Sequence, residues 1–492
     1  MGGYGMDIIL PYFVKAIAGL MIGLQWIPST LLHWEIHTIN IKPSKKYQTL
    51  ESFGTSAAWW AQHIESEEMA DDIARALYCK ETGLGLDVIR YNVGGGDYED
   101  PNSYVAGGHW QLRRTQSFYI KNPDTGEFEY DFTRDANARR VLDKAIAYGA
   151  TQVVLFCNSP HFSMTISGHA TGGLKTEVSN LAAEKYPAFV EYLLAIADWF
   201  VAQGYPVTAI SPVNEPQWGW GGDWVGQEGC HYKPEEVVAL MELFAVTMKQ
   251  RGSPYALLGP ESGDMSDAHT AYTDAYFQSE ILNAFCDTFA GHSYWMDHDI
   301  QKKRKSGRRF KKLYPGKKFE MSEWCELPQK LDSHTIDSGL YKANIIVQDL
   351  TLLNAVSWQS WVAVNEDGVM DMRDENGAFD LKNGELVYYN RYWAFKQFTS
   401  FIKPGAVRVK VRDSFWLGSR IASVAFKQPG ETVLVMVNNS GKAQSIRLGG
   451  NYSSVKIYTT DAGRNCELTY KGALKTRQVL PARSISTYIL AD

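Results

Sequence analysis

Residues 210–220 read ISPVNEPQWGW, and the fold follows from how that stretch is understood. The run VTAIS that enters it is β-branched and apolar, as a buried strand requires, while Pro212 and Pro216 exclude a continuing helix. The stretch reads as a strand that stops at Asn214 and Glu215, holds a carboxylate at a rigid exit, and runs into a tryptophan-rich loop. An Asn-Glu-Pro tripeptide alone also fits a turn beside a solvated carboxylate, so the neighbouring segments have to decide.

Upstream, a short strand in QTLESFGTSAAWWAQ (48–62) is followed by helical spacing over 67–82 that stops at Gly83 and Gly85. DVIRYNVGGGD (87–97) is a strand opening into three glycines. They lack GxGxxG spacing and no helix starts after them, which excludes a dinucleotide loop. A helix over 137–148, the strand QVVLFCNSP (152–160) and a helix over 181–203 lead to Glu215. Downstream, a helix over 234–251, ALLGPESGD (256–264), a helix near 271–282, FAGHSYW (289–295), a basic helix over 302–312, KFEMSEW (318–324) and AVSWQSW (355–361) continue the alternation. Eight strands with intervening helices predict an α/β fold, a closed (β/α)8 TIM barrel with its site at the C-terminal strand ends. The run KKRKSGRRFKK (302–312) fills an outer-helix slot and reads as a solvated face.

After a helix over 388–401 the pattern becomes short alternating strands, VRVKV, RIASVAF, TVLVMVNN and VKIYTT, which reads as a β-sandwich. WEIHTINI (34–41) alternates as a strand before the turn-like KPSKK, and is expected to complete a sheet of that sandwich. The expected organisation is a barrel over 47–401 and a sandwich from 34–46 with 402–492. Residues 1–33 form an extension whose apolar run at 16–27 has the length of a signal core but no A-x-A site after it. A signal there implies a secreted or cell-surface protein, and otherwise a cytoplasmic one.

The chain has 492 residues, 45% hydrophobic, with a formal charge of −6, which gives no electrostatic ground for binding nucleic acid or anionic lipid. Its 15 Trp and 27 Tyr suit flat contacts with sugar rings as well as a core. The 6 cysteines show no metal spacing and read as free thiols, Cys230 and Cys325 being the two whose positions would allow a bridge.

Glu215 ends the fourth strand and Glu323 the seventh, so the two should face each other across the barrel mouth. Glycoside hydrolysis uses such a pair, one carboxylic acid to protonate the departing oxygen and one carboxylate to attack the anomeric carbon, with retention when the two lie about 5–5.5 Å apart. Glu215 is expected to be the acid/base and Glu323 the nucleophile. Alternation in KFEMSEW puts Phe319, Met321 and Glu323 on one face and Glu320 on the other, which makes Glu320 a structural or surface carboxylate; Glu326 is a weaker rival.

At RYNVGGGD, SPVNEPQW, FAGHSYW, MSEW and FKQFTSFIKPGAVRV (395–409) the chain resembles glycoside hydrolase family 30. In FGTSAAWWAQ and QEGCHY (227–232) it is most similar to the endo-β-1,6-galactanase subgroup, which cuts galactan side chains of arabinogalactan. The resemblance implies acid/base and nucleophile roles for Glu215 and Glu323, an Asn214 bond to the sugar 2-hydroxyl, and an Arg90 that supports the nucleophile. It also implies an Asp97 that grips sugar hydroxyls, His292 and Tyr294 beside the nucleophile, and Trp361 with Trp59 or Trp60, Trp60 being chosen, as floor of the sugar site. In NSPHFSM (158–164) His161 stands where several relatives carry tryptophan, and its imidazole would accommodate an axial hydroxyl such as galactose's. The implied partner is an oligo- or polysaccharide, without metal, organic cofactor or stable protein partner. β-1,6-Glucanase, xylanase and glucosylceramidase activities share these carboxylates, and a sugar-binding protein without hydrolysis is the remaining reading.

Overall fold

The computed structural model describes residues 37–491 except 98, 105–112, 223–225, 267–269, 298, 328–330, 366, 377–379 and 414–420. The expected extension over 1–33 and the first three residues of WEIHTINI lie outside the described residues.

The barrel is built from β2 (Ser52–Ser56), β3 (Val88–Asn92), β4 (Gln152–Phe156), β5 (Val207–Ser211), β6 (Ala256–Leu257), β7 (Pro260–Ser262), β8 (Thr288–His292), β9 (Lys318–Trp324) and β10 (Ala355–Ser360). Its parallel order is β6-β5-β4-β3-β2-β10-β9-β8-β7. The two ends of that order are consecutive pieces of one chain segment: Leu258 N–H donates to Ile210 O at 2.9 Å, and Ala290 N–H to Gly259 O at 2.9 Å. The segment 256–262 therefore closes the sheet on itself, and β6 with β7 is the fifth strand of an eight-strand TIM barrel. Small side chains, Val88, Val154, Ala209, Leu258 and Ala290, pack together as a separate buried cluster from five successive strands.

Outer helices follow the expected alternation. They are α1 (Glu67–Tyr78), α2 (Ala136–Tyr148), α3 (Tyr186–Ala202), α4 (Pro234–Arg251), α5 (Thr270–Gln278), α6 (Glu280–Phe285), α7 (Ile300–Leu313), α8 (Ile336–Gln348) and α9 (Asn390–Thr399). Helix α1 stops at Tyr78, earlier than the glycines suggest, because the following segment folds back on it: Leu84 N–H donates to Ala76 O and Leu86 N–H to Leu77 O. A Cβ at Gly83 would overlap the Arg75 carbonyl, so glycine is needed for that close approach rather than as the stop. Helix α3 begins at Tyr186 with Pro187 in its first turn, where the missing N–H costs nothing. In α7, Lys302, Lys305, Arg308, Lys311 and Lys312 are exposed as expected of a solvated face, while Phe310 and Lys303 turn inward. Lys303 is paired there with buried Asp349 at 2.8 Å.

The sandwich comprises β1 (His37–Thr49), β11 (Val407–Asp413), β12 (Ile421–Gln428), β13 (Glu431–Asn438), β14 (Gln444–Gly449), β15 (Ser454–Asp461), β16 (Arg464–Ala473), β17 (Gln478–Leu480) and β18 (Ser484–Ala491). Strand β1 lies between β11, antiparallel, and β14, parallel, so the N-terminal strand completes the sheet as expected. KPSKK is no turn: it belongs to β1, whose register slips at Lys42/Lys46 and Lys46/Thr49, and these bulges absorb Pro43. The period of two joins the units. In β13, Leu434 and Met436 enter the sandwich core, whereas Val433, Val435 and Val437 join the core of the barrel. No described helix is long and apolar enough to cross a membrane.

Candidate active site

Two neighbouring strands of the barrel end in glutamates with left-handed backbone. Glu215 follows β5 at φ 44° and Glu261 sits in β7 at φ 55°. Such a conformation is disfavoured for residues with a Cβ and is held here by hydrogen bonding: Glu215 N–H donates to Glu261 O at 2.9 Å, and the Trp220 indole N–H to Glu215 O at 2.9 Å. Glu323 arrives differently. Phe319 and Met321 pack outward into the helix-facing core, and a register slip of β9 against β8 pairs Gly291 with Met321 but His292 with Glu323. This bulge corrects the expected alternation: Glu323 faces the interior with Ser322, not with Phe319 and Met321. Glu320 is half-buried, the structural alternative of the two expected for it, and burial with the charge of Glu261 pushes it up to about 8.

His292 stands between the carboxylates. Its Nδ1 is 3.0 Å from Glu215 Oε1 and 3.6 Å from Glu323 Oε1, and its Nε2 is 3.3 Å from Glu261 Oε2. Arg90, from β3, bonds Glu323 Oε2 at 3.0 Å and lies 3.7 Å from Glu261 Oε1; Tyr294 OH donates to Glu323 Oε1 at 3.2 Å. Burial works against a charged imidazole, but the charges of Glu323, Glu215 and Glu261 outweigh it and raise His292 to about 10. Burial would also raise Glu261, yet Arg90 and His292 prevail and hold it near 2. Burial pushes Glu323 up, opposed by His292 and Arg90 and aided by the charge of Glu215. Ligand atoms of Glu215, His292 and Glu323 lie within 4.8 Å of one another, a spacing that also suits a cation. Both ring nitrogens of His292 face carboxylates, at 3.0 and 3.3 Å, an arrangement in which the ring donates from each edge and keeps no lone pair free for a metal.

A cavity of about 440 Å³ opens over these groups, lined by Glu215, Glu323, Tyr294, Trp59, Trp361, Trp218, Trp295, Arg113 and others. Of the residues expected at the site, the structure brings Glu215, Glu323, Arg90, His292, Tyr294 and Trp361 together. Asn214 is adjacent and buried, its Oδ1 without a hydrogen-bond partner among the described residues. Trp60 is corrected to Trp59: Trp60 is buried away from the cavity with its indole N–H on Ser56 O, while Trp59 lines it edge-to-face against Trp361 at 5.1 Å. Asp97 is outside, bound to Arg134 at 2.5 Å and to the backbone N–H of Glu99, a loop-fixing role. His161 is also outside, fully buried among Tyr119, Phe128, Phe162 and Tyr192, and burial lowers it to about 3. The glycine loop is instead anchored by Glu228, which accepts from Gly95 N–H at 3.1 Å and Gly96 N–H at 2.9 Å. Cys230 and Cys325 are separate thiols. Sequence reasoning passed over Glu261, although it ends the fifth strand, where a barrel of this kind carries its site.

Residues 36–372 match the model of O-glycosyl hydrolase family 30, and residues 405–488 match the β-sandwich domain of the same family. The chain belongs to glycoside hydrolase family 30. It is therefore an O-glycosyl hydrolase acting on carbohydrate. It is 24% identical over 455 residues to an endo-β-1,6-galactanase of Hypocrea rufa, covering 87% of this chain and 88% of that one. It is 28% identical over 243 residues to an exo-β-1,6-galactobiohydrolase of Bifidobacterium longum subsp. longum, covering 38% of this chain and 16% of that much longer one. A conserved exported protein from Bacteroides fragilis superposes with a TM-score of 0.82 at 26% identity, over 92% of this chain and 100% of that one. The catalytic domain of the family 30 xylanase C from Talaromyces cellulolyticus gives 0.71 at 20% identity over 92% and 100%, a likeness of fold.

Proposed function

We propose that this family 30 enzyme is a retaining hydrolase of β-1,6-galactan, using Glu215 as acid/base and Glu323 as nucleophile. The observation that carries the chemistry is that an oxygen of one carboxylate lies within 4.8 Å of an oxygen of the other, the close approach that direct attack by the second carboxylate needs. Glu215 protonates the glycosidic oxygen while a Glu323 oxygen attacks the anomeric carbon, and the bond to the departing sugar breaks. Water then attacks that carbon, Glu215 takes its proton, and the Glu323 ester is released with the configuration retained. Negative charge left on Glu215 develops 3.0 Å from the His292 imidazolium, which stabilises it. Arg90 and Tyr294 aim the attacking carboxylate.

The substrate rests on the two relatives, both of which act on β-1,6-linked galactose units by name. The test is product analysis on de-arabinosylated arabinogalactan beside β-1,6-glucan and xylan, with wild type, Glu215→Gln and Glu323→Gln. Galacto-oligosaccharides released by wild type alone are the expected result. Cleavage of another glycan would overturn the substrate, and activity surviving in Glu323→Gln would overturn the nucleophile.

A further inference from the structure

The barrel mouth carries two indole pairs. Trp59, after β2, and Trp361, after β10, meet edge to face at 5.1 Å and 85°, and their strands are hydrogen-bonded neighbours. Trp218, after β5, and Trp295, after β8, meet in the same manner at 6.0 Å and 79°. Strands β5 and β8 flank the fifth strand, which in a closed ring of eight places them across the mouth from β2 and β10. All four indoles line the cavity that holds Glu215 and Glu323.

The pairs differ in exposure. Trp59 and Trp361 are 5% and 7% exposed, whereas Trp295 is 43% exposed. Its backbone is left-handed at φ 61°, which a bulky side chain rarely adopts. An indole held open to solvent on disfavoured backbone is a surface for contact rather than for packing.

Glu215 sets the direction. The backbone N–H of half-buried Trp218 donates to Glu215 O at 3.2 Å, tying this pair to the same turn as the acid. A general acid protonates the oxygen that departs, so the departing sugar leaves on that side. We propose that Trp218 and Trp295 form the leaving-group subsite, a stacking platform for sugar beyond the cleaved bond, while Trp59 and Trp361 floor the sugar under attack. The chain then grips its substrate on both sides of the bond and cuts within it. A saccharide seated on the platform also replaces water: its hydroxyl oxygen bonds the anomeric carbon, the Glu323 ester bond breaks, and Glu215 takes the hydroxyl proton. The inference rests on Glu215 being the proton donor.

The test compares Trp295→Ala and Trp218→Ala on β-1,6-galacto-oligosaccharides and on nitrophenyl β-1,6-galactobioside, whose nitrophenolate departs without a sugar beyond the bond. Both variants should lose about tenfold more kcat/KM on the oligosaccharides than on the aryl glycoside, with a matching fall in transfer to added galactobiose. Trp295→Phe, which keeps a stacking ring, should recover most of the loss. Equal losses on both substrates, or none on the oligosaccharides, would overturn the platform. Should wild type cut a different glycan, the same pair of substrates is made from that glycan, so the choice of sugar falls separately. Glu215→Ala losing the aryl glycoside as severely as the oligosaccharide would remove the donor assignment, and the platform's direction with it.

Discussion

Glu261 Oε2 lies 3.3 Å from Nε2 of His292, so the ring that touches Glu215 on one edge is held by a second carboxylate on the other. Glu261 is fully buried and faces Arg90 as well, with Ser211 Oγ donating to it at 2.8 Å and Ser322 Oγ also donating. Replacing one partner of such a network leaves buried charge unbalanced, which costs about 3–5 kcal/mol. Glu261→Gln is expected to lower stability by that order, measured by denaturant unfolding. With Arg90 and His292 released, kcat should fall about a hundredfold. A variant with unchanged kcat would show that Glu261 only supports the barrel.

His292 makes stability depend on pH in a definite direction. Its ordinary value is 6.5 and the folded protein holds the proton to about 10. The folded state therefore binds more protons over that range, and stabilisation complete below 6.5 is lost as pH rises toward 10. Glu320, raised from 4.5 to about 8, also loses stability as pH rises through that range, which overlaps the lower part of the His292 window, so the measurement is a difference. Wild type minus His292→Gln, followed by unfolding between these limits, should shrink steadily with pH; a constant difference would refute the charged imidazole.

The strand ends were legible because an apolar β-branched run followed by Asn-Glu-Pro or Ser-Glu-Trp marks its own boundary. Contacts made across the barrel were not. Glu261 stands between Pro260 and Ser262 in a segment that resembles a turn, and its partner Ser322 is 61 residues away. Alternation misassigned β9 since one bulged residue exchanges the faces beyond it, and bulges leave no trace in hydrophobic pattern. Trp59 and Trp60 lie past the end of β2, where period-two reasoning no longer chooses between neighbours. The family resemblance implied a sugar ligand at Asp97, but Arg134 takes up its carboxylate.

Glu228 should prove essential to the glycine loop. Besides Gly95 and Gly96 it accepts from Tyr104 OH and Thr115 Oγ1, each at 2.9 Å, and it is buried. All these partners are donors, so Glu228→Gln turns an amide N–H toward donors and leaves them unpaired, at about 1–3 kcal/mol each. Glu228→Gln is expected to be nearly as unstable as Glu228→Ala, with faster proteolysis in the loop following β3. Near-normal stability of the Gln variant would show that the loop is held elsewhere.

Gly263 separates position from stability. A Cβ there would overlap Glu215 Oε1 and come within 2.7 Å of Gln217 Nε2, both ends of side chains that can swing aside. Gly263 is not among the residues with positive φ, so alanine fits its backbone. Gly263→Ala should therefore keep its melting temperature within a few degrees while displacing the Glu215 carboxylate from His292. A displacement near 1 Å costs about a hundredfold in rate. The loss should be greatest on oligosaccharides that need a proton at the departing oxygen and smaller on an aryl glycoside that does not. Equal loss on both would mean that the methyl group blocks sugar binding instead of moving the acid.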